Sequence, residues 1–168
     1  MMRVAIVYYS KTGRTRRVAE YIRDKLVNEG FEVQIFEVKP VHDYSSFMLH
    51  LNPRVIYETI KGKIIEIIGV EKFSPDEFDF IFIGSPIWFG TITPPIRSFI
   101  NMFKDKISDK PVICFTTSAI HRNYSLKFKE ILDSMKFNVI LHFEITNLDK
   151  ERDIIDNVIN EIKSKAGM

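Results

Sequence analysis

Three short stretches of the chain carry residues able to do chemistry. The first, Ser10-Lys11-Thr12-Gly13-Arg14-Thr15, sets three hydroxyls and two cations around a single glycine. An apolar run, Val4 to Tyr9, precedes it and a helical pattern follows it, so the loop lies where a strand hands over to a helix. Free amides at a helix start, with the positive end of its dipole, attract an anion, and hydroxyl donors complete the shell. The glycine supplies backbone angles that other residues avoid. A triphosphate loop needs G-x-x-x-x-G-K-[ST] and a dinucleotide fingerprint needs three glycines, whereas this T-G-x-T core has one, which suits a monophosphate. Without a ligand the same residues read as a Gly13 turn and a Thr15 helix cap.

The second stretch is Ser85-Pro86-Ile87-Trp88-Phe89-Gly90, holding the only tryptophan of the chain. Trp88 lies between turn-forming residues, where an indole is expected to stand exposed and to need a partner. The third, Thr116 to Tyr124, offers hydroxyls at Thr117 and Ser118 and a titratable His121, while Tyr124 either packs at the start of the next helix or stacks on a ligand. An unperturbed histidine titrates near 6.5, so His121 can hold either charge state near neutrality. His42, His50 and His142 have no partner at metal-ligand spacing and read as structural or solvated. Cys114, inside an apolar run, reads as a small buried hydrophobe rather than a nucleophile. No G-x-S-x-G elbow is present, and no side chain is assigned to catalysis or to a metal.

The elements that must position these loops follow from periodicity. Apolar runs at Val4–Tyr9, 32–38, Phe80–Ile83, Val112–Phe115 and Val139–Ile145 read as five strands, those without polar alternation as parallel strands covered on both faces. Between them, stripes at helical spacing appear: Val18, Ile22 and Leu26; Ile96, Phe99, Ile100 and Phe103; Phe128, Ile131, Leu132 and Met135; Ile155, Ile159 and Ile162. Pro95 opens the second of these helices. Lys163 to Met168 are expected to fray. Strands alternating with helices imply right-handed crossovers and a three-layer, doubly wound α/β fold with a five-stranded parallel sheet. Residues 41–70 interrupt the alternation and read as a loop with an inserted helix ending near Gly62.

Composition closes off several classes. The chain has 168 residues, enough for one domain with a real core. Its 24 basic and 22 acidic residues are too balanced to call for nucleic acid. No apolar run approaches the ~18 residues of a membrane helix, and no leader segment is read at the start. One cysteine permits neither an internal disulfide nor a Cys-ligated cluster, which fits a cytoplasmic setting.

At Ser10, Thr12, Gly13 and Thr15 the chain resembles the flavodoxin family, whose phosphate loop reads S/T-x-T-G-x-T directly after the first strand. The segment FIFIGSPIWFGTITPPIRSFI is similar to the family's next ligand loop, with Gly84, Pro86, Trp88 and Gly90 in the same order. The resemblance extends over the chain, and RVIYETIKGKIIEI resembles an insertion found in a subgroup of archaeal and bacterial flavodoxin-like proteins. It implies a single flavodoxin-like domain over 1–168 with the insertion at 41–70, strand order 2-1-3-4-5, and FMN bound noncovalently between strands one and three.

By the same resemblance, Ser10, Lys11, Thr12, Gly13, Arg14 and Thr15 surround the phosphate. Ser85, Pro86, Ile87, Trp88, Phe89 and Gly90 meet the ring system, Trp88 or Phe89 covering one face. Thr117 and Ser118 bond the pyrimidine end, with His121 and Tyr124 beside it. The 116–124 loop departs from the family in lacking its glycines and in carrying His121-Arg122. The implied function is FMN-dependent electron transfer to a redox partner protein or a small-molecule donor or acceptor, with an NAD(P)H-dependent quinone or FMN reductase as the alternative. A homodimer through the 41–70 segment is left open. Carrier flavodoxins tend to be acidic around the flavin, yet loops 84–95 and 116–124 contain no Asp or Glu. The second reduction step is therefore expected at a higher potential than in an acidic carrier.

Overall fold

The computed structural model describes residues 1–167, and Met168 lies outside the described residues. Alternate side chains of β1 (Arg3–Tyr8) and its extension Tyr9 serve two cores. Val4, Ile6 and Tyr8 face α1 (Arg14–Asn28) and α5 (Arg152–Ala166), while Ala5, Val7 and Tyr9 face α3 (Pro94–Ile107) and α4 (Tyr124–Ser134). Such two-sided burial is what parallel strands with apolar runs require.

The main strands are β1, β2 (Glu32–Glu37), β5 (Phe80–Trp88), β7 (Pro111–Thr117) and β8 (Asn138–Ile145). They stand side by side in the order β2-β1-β5-β7-β8, all neighbours parallel. This is the expected 2-1-3-4-5 arrangement. The switch point falls between β1 and β5, where Tyr8 pairs Gly84 and both strands end toward the same edge. Gly84 is required by packing: a Cβ there would sit 2.1 Å from the Phe115 ring.

Two features extend the expected plan. Beyond Gly84, β5 continues through Pro86 to Trp88 and folds back on β6 (Thr91–Ile92) as an antiparallel hairpin, so the sheet gains a sixth, short strand. Proline is tolerated because this part of β5 has outrun β1 and pairs in the main sheet only with β7. The hairpin tip uses Phe89 and Gly90, both at positive φ. In the inserted segment, β3 (Lys39–Pro40) pairs antiparallel with β4 (Ile67–Ile68), and α2 (Pro53–Ile60) lies between them, capped by the Asn52 side chain accepting from Arg54 N–H at 3.0 Å. The expectation of fraying from Lys163 fails. α5 runs to Ala166 and ends on Gly167 in the left-handed region, and the Lys163 ammonium pairs with Glu29 at the end of α1.

Candidate functional site

Gly13, at φ 90, turns the chain into α1 as its N-cap, with no side-chain cap of its own. Ser10 compensates: its Oγ accepts from the amides of Gly13 at 3.1 Å and Arg16 at 3.2 Å. The amides of Lys11, Thr12, Arg14 and Thr15 find no acceptor among the described residues. A ring of unspent donors at the positive end of a fifteen-residue helix is an anion cradle by construction. Thr15 is not the cap; it is the second helical residue, buried, its hydroxyl 2.7 Å from that of Thr117. That bond joins the first loop to the third.

The cradle opens into a cleft of about 330 Å³, within the ~300–1,000 Å³ of small-molecule sites. Its wall contains Ser10, Lys11, Thr12, Arg14 and Thr15 from the first loop; Pro86, Ile87 and Trp88 from the end of β5; and Thr117 and Ser118, with Ala119, from the end of β7. Ten of the sixteen residues singled out from the sequence thus meet on one surface. Gly13 shapes the cradle from behind, and Phe89 and Gly90 form the hairpin tip next to Trp88. Ser85 is fully buried behind the wall, where its hydroxyl donates to the Pro86 carbonyl and its oxygen accepts from Thr93 N–H at 3.1 Å, tying β5 to the start of α3.

The expectation of an exposed Trp88 is corrected, and two residues stand apart from the wall. Trp88 is not an exposed indole: it is 5% exposed, with Tyr9 and Tyr44 edge-on to it at centroid distances of 5.6 and 5.5 Å. The lid that buries it comes from the inserted segment, so local turn signals could not report it. His121 is not on the cleft wall. Its ring bridges Glu144 at 3.0 Å and Glu151 at 2.7 Å, and these hydrogen bonds, Glu151 first, raise its pKa. Burial opposes ionisation of Glu151, but His121 and the amides of Thr146 and Asn147 hold it down to about 2. Tyr124 takes the first of its two readings and packs at the start of α4, its N–H donating to Glu144 at 2.8 Å and Lys127 over its ring. The 116–124 loop, free of acids itself, is held by two carboxylates from elsewhere.

The insertion also supplies residues that sequence reasoning passed over. Leu49 and His50 line the cleft, and His50 stands edge-on to Phe89 at 5.8 Å. Asp43 bonds the Lys11 ammonium at 2.7 Å and, through its other oxygen, accepts from the Tyr44 amide. Tyr44 donates to Glu58 at 2.5 Å, and Glu58 in turn receives Arg54. Burial, then Glu58, pushes the Tyr44 phenol upward. No spacing rule links 43–58 to 11 or 88; only the folded chain does. Cys114 is buried as expected, its thiol pushed up to about 12 by burial.

A doubly wound sheet with an anion cradle at its switch point, opening on an aromatic-backed cleft, belongs to the class of flavodoxin-like nucleotide-binding proteins. Comparison with known proteins agrees and goes further. A model of the NADPH-dependent FMN reductase family matches residues 2–146, and the chain belongs to that family. An NAD(P)H dehydrogenase (quinone) of Archaeoglobus fulgidus is 26% identical over 102 residues, covering 61% of this chain and 51% of that protein, so the chain spans about half of that relative's length. A flavoprotein from Lactobacillus acidophilus, solved in complex with FMN, superposes with a TM-score of 0.71 at 26% identity, covering 93% of this chain and 99% of that one. A flavodoxin from the domain Archaea superposes at 0.67 with 16% identity, over 99% and 100% of the two chains, a likeness of fold. FMN, expected from the loop motifs, is the flavin of this family and of its solved relative.

Proposed function

We propose that this chain, as a single flavodoxin-like domain, holds FMN in the cleft and passes to it electrons from a nicotinamide dinucleotide, for delivery to a quinone or another small acceptor. The observation that carries this reading is the charge of the wall. Among the residues lining the cleft there is no carboxylate, whereas Lys11 and Arg14 add positive charge. Such a surface favours a phosphorylated cofactor and an anionic dinucleotide, and it lacks the acidic field that steers a carrier onto basic partner proteins. Family membership supports the same choice over the one-electron carrier.

FMN supplies the hydride and electron chemistry when bound. The free amides of Lys11, Thr12, Arg14 and Thr15 and the Thr12 hydroxyl receive the phosphate, and Arg14, which makes no ion pair among the described residues, balances its charge. Lys11 enters this role already half-neutralised by Asp43. Pro86, Ile87 and Trp88 form the apolar wall for the ring, with Trp88 held from behind by two tyrosines. Thr117, its hydroxyl 2.7 Å from that of Thr15, and Ser118 complete the wall on the side of β7. The Ser118 hydroxyl donates to the Ile120 carbonyl, leaving its lone pairs as acceptors. A cytoplasmic location, with reduced nicotinamide at hand, belongs to the same proposal.

Anaerobic titration of the FMN-loaded protein tests it. Stoichiometric NADPH or NADH is expected to bleach the flavin without any added protein. Flavin that dithionite reduces but neither nicotinamide touches would return the chain to the carrier reading.

A further inference from the structure

Ser10 and Lys11 also line a second cavity, of about 250 Å³, which takes none of its other residues from the cleft. Two features mark it as more than a crevice. The first is the Tyr9 hydroxyl: the side chain is 2% exposed and lines the cavity, yet this oxygen has no hydrogen-bond partner among the described residues. A buried hydroxyl left unpaired is costly, so it calls for a partner. Burial, then Asp43 and Glu37, push the phenol upward, so it keeps its proton and can donate. The second feature is charge. Lys11, Arg16 and Lys39 line the cavity together with Glu37 and Asp43, three cations against two carboxylates. Asp43 is taken by Lys11 at 2.7 Å and Glu37 by Arg16 at 2.5 Å, while Lys39 stands looser, 3.7 Å from Glu37. Both carboxylates are thus neutralised within the wall, and one positive charge is left over.

Size and position narrow the ligand. At about 250 Å³ the cavity is smaller than the ~300–1,000 Å³ of sites that enclose a whole small molecule, and it meets the FMN cleft at Ser10 and Lys11. It suits one anionic end of a molecule whose other end reaches the flavin. Glu37 is the last residue of β2. In dinucleotide-binding sheets an acid roughly 20 residues past the first turn accepts the ribose 2′-hydroxyl, and an arginine beside it takes a 2′-phosphate instead. Here the acid is already held by an arginine, and the surplus charge is positive. We propose that this cavity receives the 2′-phosphorylated ribose of NADPH, with Arg16, Lys39 and the Tyr9 hydroxyl donating to the phosphate and Glu37 accepting from the 3′-hydroxyl. It is then the place where the chain tells NADPH from NADH, an inference that rests on the nicotinamide reading above.

Binding tests it without turnover. Calorimetric titration of the FMN-loaded protein with 2′,5′-ADP and with 5′-AMP, which differ only in the 2′-phosphate, should show the first binding at least roughly 10-fold tighter. Lys39→Gln should remove most of that difference and leave FMN affinity unchanged, since Lys39 lies outside the cleft. Tyr9→Phe should weaken 2′,5′-ADP about 5-fold, while urea unfolding shows stability held or raised, because the deleted hydroxyl has no partner among the described residues. Equal binding of the two nucleotides, a Lys39→Gln variant that still separates them, or a loss of stability in Tyr9→Phe overturns the proposal. Inorganic phosphate that binds as tightly as 2′,5′-ADP also overturns it, by reducing the cavity to a site for a free anion. The expected nucleotide preference in a protein whose flavin NADPH leaves oxidised upholds the cavity and removes the reductase reading alone.

Discussion

α1 and α4 start in the same way and end up in opposite roles. Each follows a parallel strand, and each begins from a residue in the left-handed region whose side chain makes no cap, Gly13 at φ 90 and Asn123 at φ 57. At α4 the fold brings its own anion. Glu144 of β8 accepts from the amides of Asn123 at 3.3 Å and Tyr124 at 2.8 Å, and it also holds His121. At α1 no carboxylate arrives; Ser10 takes two amides and the other four find no acceptor among the described residues. A helix start becomes a binding site when the tertiary structure withholds the internal acceptor, and a structural joint when it supplies one.

The contrast can be broken most severely at Gly13. Gly13→Val forces a β-branched residue to positive φ and misdirects the free amides. FMN affinity should fall about 100-fold, roughly 2–3 kcal/mol, while riboflavin, lacking the phosphate, binds nearly as before. Fluorescence titration with both ligands checks this, and equal losses would remove the cradle from the argument.

The matching change at the other helix is Glu144→Ala. It strips two amides and a histidine of their acceptor and should cost about 2 kcal/mol in urea unfolding, with FMN affinity almost unchanged. A large loss of FMN there would mean that the two helix starts are not functionally distinct.

A smaller effect comes from pH. His121 has its pKa raised above 6.5, so its contribution to the joint is complete below that value and is lost as pH rises through the raised one. Glu151, held down to about 2, contributes fully above its ordinary 4.5 and loses that contribution only on acidification toward 2. The joint is therefore tightest between about 4.5 and 6.5. Amide exchange in 118–124, corrected for intrinsic rates, should quicken on the alkaline side, and His121→Gln should abolish that dependence.

The smallest prediction reverses the sign of the first. Asn123→Gly removes a side chain from a left-handed position whose amide acceptor comes from elsewhere, and should stabilise the protein by ~0.5 kcal/mol. Thermal unfolding reads it; a loss instead would show the Asn123 side chain to be needed.

Much of this molecule is local and was open to reading. The five apolar runs and the stripes between them define strands and helices because burial on one or both faces dictates their period, and alternation then dictates a doubly wound sheet. The cradle is local too: Ser10 and Gly13 lie within six residues of the amides they arrange. Trp88 shows where such reading stops. Turn formers around it signal exposure, and its burial depends on Tyr44, forty-four positions earlier in a segment without clear periodicity. His121 shows the same thing for charge, since its neighbours in sequence are neutral or basic and its partners arrive from β8 and the start of α5.

By itself, then, the sequence determined the alternation of elements, the parallel sheet and one helix start whose amides have no acceptor among the described residues beyond Ser10, because these depend on contacts within a turn or two of the chain. Tertiary structure alone decided that the insertion would close over Trp88 and grip Lys11, and that the second helix start would be filled by Glu144. Those outcomes depend on side chains far apart in sequence meeting at one edge of the sheet, which no local pattern encodes.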